Sequence, residues 1–273
     1  MSDGRCILTD VPTIDFHAHA FPDSLSGRAV SRIRELSGIQ AVLDGRVSTL
    51  VDSMDAAGIR TSVLLSIATK PSQFESIFEW SKGISSDRIV PFPSVHPADP
   101  DAVHKVRICR EEGFKGMKFH PYYQDFELDS ERMFPIYEAL EKEGLICICH
   151  TGFDHAFPFT RTADPPRIVK VVRKFPGLTF VATHLGAWRD WDTVAEHLPK
   201  ERLFVDIAYS LEFLPPEKAR GLILSFRPDR LLFGSDSPWG GQANVLGLLS
   251  GLSLEEGLSR AILHDNARKL LGT

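Results

Sequence analysis

Short apolar runs recur along the chain with longer amphipathic stretches between them, the alternation that marks β-α-β units and a parallel sheet. Eight such runs stand out: Thr13 to His17, Thr61 to Ser66, Ile89 to Val95, Gly116 to His120, Ile146 to His150, Thr179 to His184, Leu203 to Ile207 and Leu231 to Asp236. The stretches between them read as helices. From Ser48 to Gly58, the residues Leu50, Val51, Met54 and Ala57 fall at helical spacing, Ser48 can cap the start and Gly58 can end it. Asp129 or Ser130 opens a helix through Leu140 to Gly144, Pro165-Pro166 starts one running to Phe175, and Pro215-Pro216 starts one ending near Ser225. A helix from Ser24 to Leu36 is expected inside the long segment Phe21 to Arg46, which can roof a site, and two or three helices fill Ala243 to Leu271. The pattern predicts an α/β fold: a (β/α)8 TIM barrel with extra helices after strand 1 and at the C-terminus. With 273 residues the chain suits one such barrel of about 250 residues, so 1–273 is expected to be one domain.

Strands buried on both faces should be almost wholly apolar, yet these runs end on polar residues. Asp15, His17 and His19 close the first, His96 follows the third, and Lys118 and His120 close the fourth. His150, His184, Asp206 and Asp236 close the fifth to eighth. Alternation along a strand places Asp15, His17 and His19 on one face, Lys118 with His120 on another, and Leu232 and Gly234 with Asp236 on a third. Helices cover the outside of a barrel, so these faces are expected to converge on the mouth of the lumen. Imidazoles and carboxylates gathered there are costly to desolvate, and a divalent cation satisfies them. Nitrogen and oxygen donors together suit Zn2+ best and also fit Mn2+ or Fe2+. His96 alone reads as a hydrogen-bonded residue, and His104, His197 and His264 as surface residues on helices. His155, in the loop after the fifth strand, reads equally as a substrate contact or a solvated residue.

Composition narrows the partners. The chain is 43% hydrophobic and 25% charged, with a formal charge of -5 and no basic cluster, which argues against nucleic acid. No apolar run reaches the roughly 18 residues of a membrane helix, and the start lacks a basic and apolar signal tandem, so a cytoplasmic location and no membrane contact are expected. Cys6, Cys109, Cys147 and Cys149 read as buried structural thiols. A small-molecule substrate is the expected partner, with a homodimer as the one assembly considered.

The run Ile14-Asp15-Phe16-His17-Ala18-His19, then Gly116-Met117-Lys118-Phe119-His120-Pro121, His150-Thr151-Gly152, Thr183-His184-Leu185-Gly186 and Phe233-Gly234-Ser235-Asp236-Ser237-Pro238, resembles the amidohydrolase superfamily. The likeness is to its amidohydrolase-related (type 2) branch, which includes the aminocarboxymuconate-semialdehyde decarboxylase-like enzymes, and it extends to the closing Asp265 to Gly272. It implies one metal ion held by His17, His19, His150 and Asp236, with His184 as the acid/base or electrophilic group. Lys118 matches the position that bridges two metals in some members, although an ordinary ion pair is its plainer role.

Two chemistries follow. In a hydrolase, the metal would activate a water against an amide, lactone or ester, with Asp236 receiving the water's proton and His184 stabilising the oxyanion or protonating the leaving group. In a non-oxidative decarboxylase, the substrate would be a carboxylated aromatic or muconate-type acid, and Arg161 or Arg189 could pair with a carboxylate. The compactness of the chain favours hydrolysis. Lys118, His120, Arg161 and Trp239 are the expected substrate contacts, and Phe153, Phe157, Trp188 and Tyr209 supply further aromatic walls. A barrel with a purely structural metal is the third reading.

Overall fold

The computed structural model describes residues 11–273. Cys6 lies outside them. Eight parallel strands alternate with helices: β1 Thr13–Ala18, β2 Ile59–Leu65, β3 Ile89–Phe92, β4 Gly116–Phe119, β5 Ile146–Cys149, β6 Phe180–Ala182, β7 Phe204–Asp206 and β8 Leu231–Leu232. Continuous ladders run from β1 to β3 and from β4 to β8. Single backbone bonds close the two seams: Lys118 N to Pro93 O at 2.9 Å joins β3 to β4, and Phe16 N to Phe233 O at 2.8 Å joins β1 to β8. The result is the expected TIM barrel.

The helices fall where the apolar spacing put them. After β1 comes α1 Asp23–Ser37, then α2 Val47–Ala57, α3 Phe74–Ile84, α4 Ala102–Glu111, α5 Phe134–Glu143, α6 Pro165–Lys174, α7 Trp191–His197 and α8 Pro216–Ser225. Pro165 and Pro216 occupy first helical positions, where the missing N–H is no loss. Gly58 ends α2 in the left-handed conformation, with φ 71°, as its place after Ala57 required. The tail forms α9 Gln242–Gly251, α10 Glu256–Arg260, a π-turn over Ala261–Asp265 and α11 Asn266–Leu271. Among the described residues no helix is long and apolar enough to cross a membrane.

Two apolar layers separate cleanly. Ile14, Phe16, Val63, Leu65, Phe92, Ile148, Val181 and Leu232 fill the lumen, and Ala267 and Leu271 of α11 pack on the same cluster from below. Met117, Phe119, Cys147, Cys149, Phe180 and Ala182 point outward into the helical layer with Leu140, Ile168 and Val172. Cys109, Cys147 and Cys149 are buried free thiols, and burial pushes the Cys149 thiol up to about 12. His104 and His197 are exposed on their helices. His264 is only partly so, because its Nδ1 donates to Pro12 O at 2.8 Å and ties the π-turn to the start of β1.

Strict alternation fails in β1. The pairing runs from Asp15 opposite Ser62 to Ala18 opposite Leu64, three steps against two, so the strand carries a bulge at Phe16-His17. Phe16 and His17 therefore both turn inward, and Asp15 turns outward, which corrects the expectation that Asp15 shares the face of His17. The Asp15 carboxylate accepts from Ser235 Oγ at 2.6 Å and from Gln242 Nε2 of α9 at 2.8 Å. Burial raises its pKa against those hydrogen bonds.

Candidate metal centre and active site

At the C-terminal ends of the strands, four imidazoles are anchored from behind. Carboxylates and carbonyls only accept hydrogen bonds, so each nitrogen facing one carries the proton. His17 Nδ1 donates to Asp206 Oδ2 at 2.8 Å, and His19 Nδ1 donates to Leu65 O at 2.8 Å. His184 Nδ1 donates to Ala208 O at 2.9 Å, and His150 Nε2 donates to Phe153 O at 3.0 Å. The remaining nitrogens are lone pairs, and they face one another: His17 Nε2 to His19 Nε2 at 3.2 Å, and His184 Nε2 to His150 Nδ1 at 3.0 Å. Asp236 Oδ1 lies 3.2 Å from both His17 Nε2 and His19 Nε2.

Acceptors packed this closely repel unless a cation lies among them, and the residues present fit a divalent metal on that ground. His17, His184 and Asp236 bring their ligand atoms within 4.8 Å of one another. In the polypeptide alone, a proton is the available cation. Burial and Lys118 push His17 toward neutrality, but Asp206 and Asp236 outweigh them and hold its pKa above the ordinary value. Burial opposes the charge on Asp236, yet His17 and His19 hold its carboxyl well below the usual range. Burial lowers His19, lowers His184 to about 4 and drives His150 far down, so these rings are neutral donors.

Two of these side chains reach the mouth by backbone rather than by alternation. β6 ends at Ala182, and His184 and Leu185 take left-handed φ of 60° and 55°, which swings the His184 ring inward. Asp236 sits at φ 62°. Left-handed backbone costs a non-glycine residue about 1–2 kcal/mol, so the fold holds both positions against a local preference. Gly234 leaves room for His17, since a Cβ there would lie 2.8 Å from the His17 Cβ.

A second layer flanks the cluster. The His120 ring stacks on His150 at 4.1 Å and 10°, and its Nε2 lies 3.4 Å from Asp154 Oδ2. Its buried Nδ1 has no partner, and burial takes its pKa well below the ordinary value. Asp154, four residues after His150, went unnoticed in the sequence because it belongs to no apolar run. Lys118 is buried in the lumen, where desolvation lowers its pKa against the pull of Asp206 and Asp236.

The cluster forms the floor of a cavity of ≈ 910 Å³. Lys118, His120 and Trp239 line it, as do Phe153, Trp188 and Tyr209. Phe157 stands behind the wall, packed on Tyr122 and Tyr123. Arg161 is not a lining residue: its guanidinium is bonded to Asp190 at 2.8 Å, on the far side of Phe153. Arg189 lies over the Trp188 ring at 4.8 Å. His155 lines the cavity against Trp188, and His96 serves locally, accepting from Ala98 N at 3.1 Å. Trp80 of α3 and Arg28 and Arg32 of α1 also line the cavity and were missed, because nothing in a helical pattern says which face meets a pocket, and so was Tyr123 in the turn after β4.

A family model described as amidohydrolase matches residues 14–273. The chain belongs to the amidohydrolase family. No curated protein matches it. Among solved structures, this amidohydrolase-family barrel is similar to an uncharacterised TIM-barrel protein from Bordetella bronchiseptica, with TM-score 0.75 and 22% identity over 95% of this chain and 98% of that one. It is similar to 5-carboxyvanillate decarboxylase from Novosphingobium aromaticivorans, solved with manganese and 3-methoxy-4-hydroxy-5-nitrobenzoic acid, with TM-score 0.72 and 14% identity over 97% and 98% of the two chains. A third is 2,6-dihydroxybenzoate decarboxylase from Rhizobium, with TM-score 0.68 and 17% identity over 96% and 99%. Likenesses at these identities concern the fold.

Proposed function

We propose that this amidohydrolase-family enzyme is a metal-dependent, non-oxidative decarboxylase of small hydroxylated aromatic acids. The observation that supports it most is a cavity with aromatic walls at Phe153, Trp188, Tyr209 and Trp239 whose floor is the lone-pair cluster. A planar acid entering it would present its carboxylate to the floor and its ring to the walls. Two similar structures are decarboxylases of carboxylated phenols, which moves decarboxylation ahead of the amide, lactone or ester hydrolysis expected from chain length.

His17, His19, His150 and Asp236 would hold one divalent ion, with His184 beside it. Zn2+, Fe2+ and Mn2+ all suit these donors, and Mn2+ is the ion bound in one similar structure. Such an ion, when bound, anchors the substrate's oxygens and draws negative charge from the ring.

The chain's own groups handle the proton. Asp236 is anionic, and with Oδ1 turned to His17 and His19 its Oδ2 is the oxygen left to act. Oδ2 takes the proton of the substrate's phenol on binding and returns it to the ring carbon. The bond from that carbon to the carboxylate breaks, its electron pair stays on the ring, and CO2 leaves. His184, neutral at physiological pH with its proton on Nδ1, would turn its free Nε2 toward the ion site. Trp188 and Trp239 keep water from the reacting carbon.

The test is a panel of 2-hydroxybenzoates, lactones and amides with protein reconstituted in Mn2+ or Zn2+. Release of CO2 from the benzoates with no hydrolysis of the others is expected. Hydrolysis without CO2 would replace this reading with the hydrolytic one. Asp236→Asn should remove at least about 10³-fold of turnover, and metal content measured on the same sample separates loss of the proton carrier from loss of the ion.

A further inference from the structure

The mouth of the barrel divides into two chemistries. Over β5 to β8 the cavity wall is aromatic, with Phe153, Trp188, Tyr209 and Trp239 each supplied by the loop that follows its strand. Over β1 and β2 it is aliphatic. Ala29, Ile33 and Ile39 come from the connection between β1 and β2, and Ile67 and Ile77 from the connection between β2 and β3. All five are half-buried, and none packs against either apolar core cluster. On α1, Ala29 and Ile33 stand four residues apart and so share a face, while the helix buries only Ser26. On α3, Phe74 and Phe78 take the core and leave Ile77 to the cavity. A single apolar residue at a surface is ordinary, but five lining one cavity form a patch that the folded chain itself leaves uncovered. The polar groups nearby do not claim this space. Thr69 and Gln73, at its border, are bonded to each other at 3.1 Å. Arg28, Arg32 and Lys70 also line the cavity but are exposed, and the two arginines border an open outer groove that holds Asp23, Glu35 and Asp44.

Resting on the decarboxylase reading, we infer that the preferred substrates are hydroxylated aromatic acids that carry an aliphatic side chain. The carboxylate lies at the floor and the ring against the aromatic half of the mouth. The chain runs between α1 and α3, covers Ile33, Ile39, Ile67 and Ile77, and stays on the product when CO2 leaves. Each methylene placed there takes apolar surface of both partners out of water. Size agrees with this: a cavity of ≈ 910 Å³ falls in the range of about 300–1,000 Å³ that encloses a drug-sized ligand, several times what one ring with its carboxylate fills.

Calorimetric titration of the Mn2+-loaded protein tests the aliphatic arm. The probes are salicylate and its n-propyl and n-pentyl derivatives, substituted in separate series at ring carbons 4, 5 and 6. In at least one series each added methylene is expected to tighten binding about two- to fourfold. Ile33→Ser with Ile77→Ser should bring that gain close to one, and Ala29→Phe, which fills the arm instead, should do the same. Leu224→Ser, at an exposed apolar position on α8 outside the cavity, should leave the gain as it is. Affinity independent of chain length in every series would overturn the arm, as would a gain that survives both the double substitution and the filling one. CO2 release from the same acids is read separately. Chain-dependent binding without CO2 release sinks the decarboxylase reading alone, and CO2 release without chain dependence sinks the arm alone.

Discussion

His184 Nε2 and His150 Nδ1 face each other at 3.0 Å, although each ring has already given its proton to a carbonyl behind it. Two lone pairs at that separation are a standing repulsion inside a desolvated pocket. Between His17 and His19, at 3.2 Å, the same conflict is relieved in the polypeptide alone by the proton that Asp206 and Asp236 favour on His17. The fold thus holds open an arrangement that only a cation completes, and it does so through the atoms behind the rings as much as through the rings themselves.

Asp206 is the first place to test this. Its Oδ2 fixes the His17 tautomer at 2.8 Å, and its Oδ1 accepts from His184 N at 2.9 Å. Asp206→Asn can turn an N–H toward His17 Nδ1 and so move the imidazole proton to the inner nitrogen. Metal affinity, measured by competition with a chromogenic chelator, is expected to fall about 10–100-fold. An unchanged affinity would show that the tautomer is not set from behind.

Gly234→Ala tests the space under the same ring. The new methyl would stand 2.8 Å from the His17 Cβ and 3.1 Å from the Ala208 Cβ. His17 must then move, so metal affinity should drop on the order of 10-fold, by more than thermal stability alone explains. Titrating metal into the variant beside a melting curve separates the two effects.

Acid should destabilise the metal-free protein early. Burial lowers the pKa of His19, His120, His150 and His184 below the ordinary 6.5, so the unfolded chain binds protons that the folded chain refuses. The stability they contribute is present above 6.5 and is lost as pH falls, for His184 down to about 4, with a slope of up to about 1.4 kcal/mol per pH unit for each group. His17, raised, acts oppositely: its contribution is present below 6.5 and disappears as pH rises through its folded value. Four groups against one give a melting temperature that declines from pH 6.5 toward 4 in the chelator-treated protein. A flat profile over that window would contradict the neutral assignment of the rings.

Trp239 should matter for substrate and little for folding. It lines the cavity, is partly exposed and follows Asp236 by three residues. Trp239→Ala is expected to raise KM for an aromatic acid roughly tenfold through loss of a wall, with a melting temperature close to that of the unmodified protein. A large loss of stability with KM unchanged would reassign the residue to loop packing.

Much of this architecture is written locally. The eight strands are legible because each is an apolar run with a polar end, and Leu232 and Gly234 keep the expected inward face. Where alternation breaks, the sequence is silent. A bulge adds a residue without changing composition, so Phe16 and His17 turn inward together and nothing in Asp15-Phe16-His17 announces it. His184 similarly owes its direction to a left-handed turn that histidine does not itself prefer. Arg161 was misjudged because its partner, Asp190, lies 29 residues away and meets it only in the folded chain. Arg28 and Arg32 were overlooked because α1 packs on so little that its pattern gives no inward face.

The seam between β8 and β1 has a consequence for how the protein is made. Asp236 N bonds to His17 O at 2.8 Å and His19 N to Ser237 O, so the first and last strands are joined through the very residues that present the donors. A nascent chain emerging from the ribosome exposes His17 and His19 long before Asp236 is synthesised. Until β8 arrives, those two histidines lack their carboxylate and the barrel lacks its closing edge. Barrel closure and completion of the donor cluster therefore coincide, because both wait for the same strand.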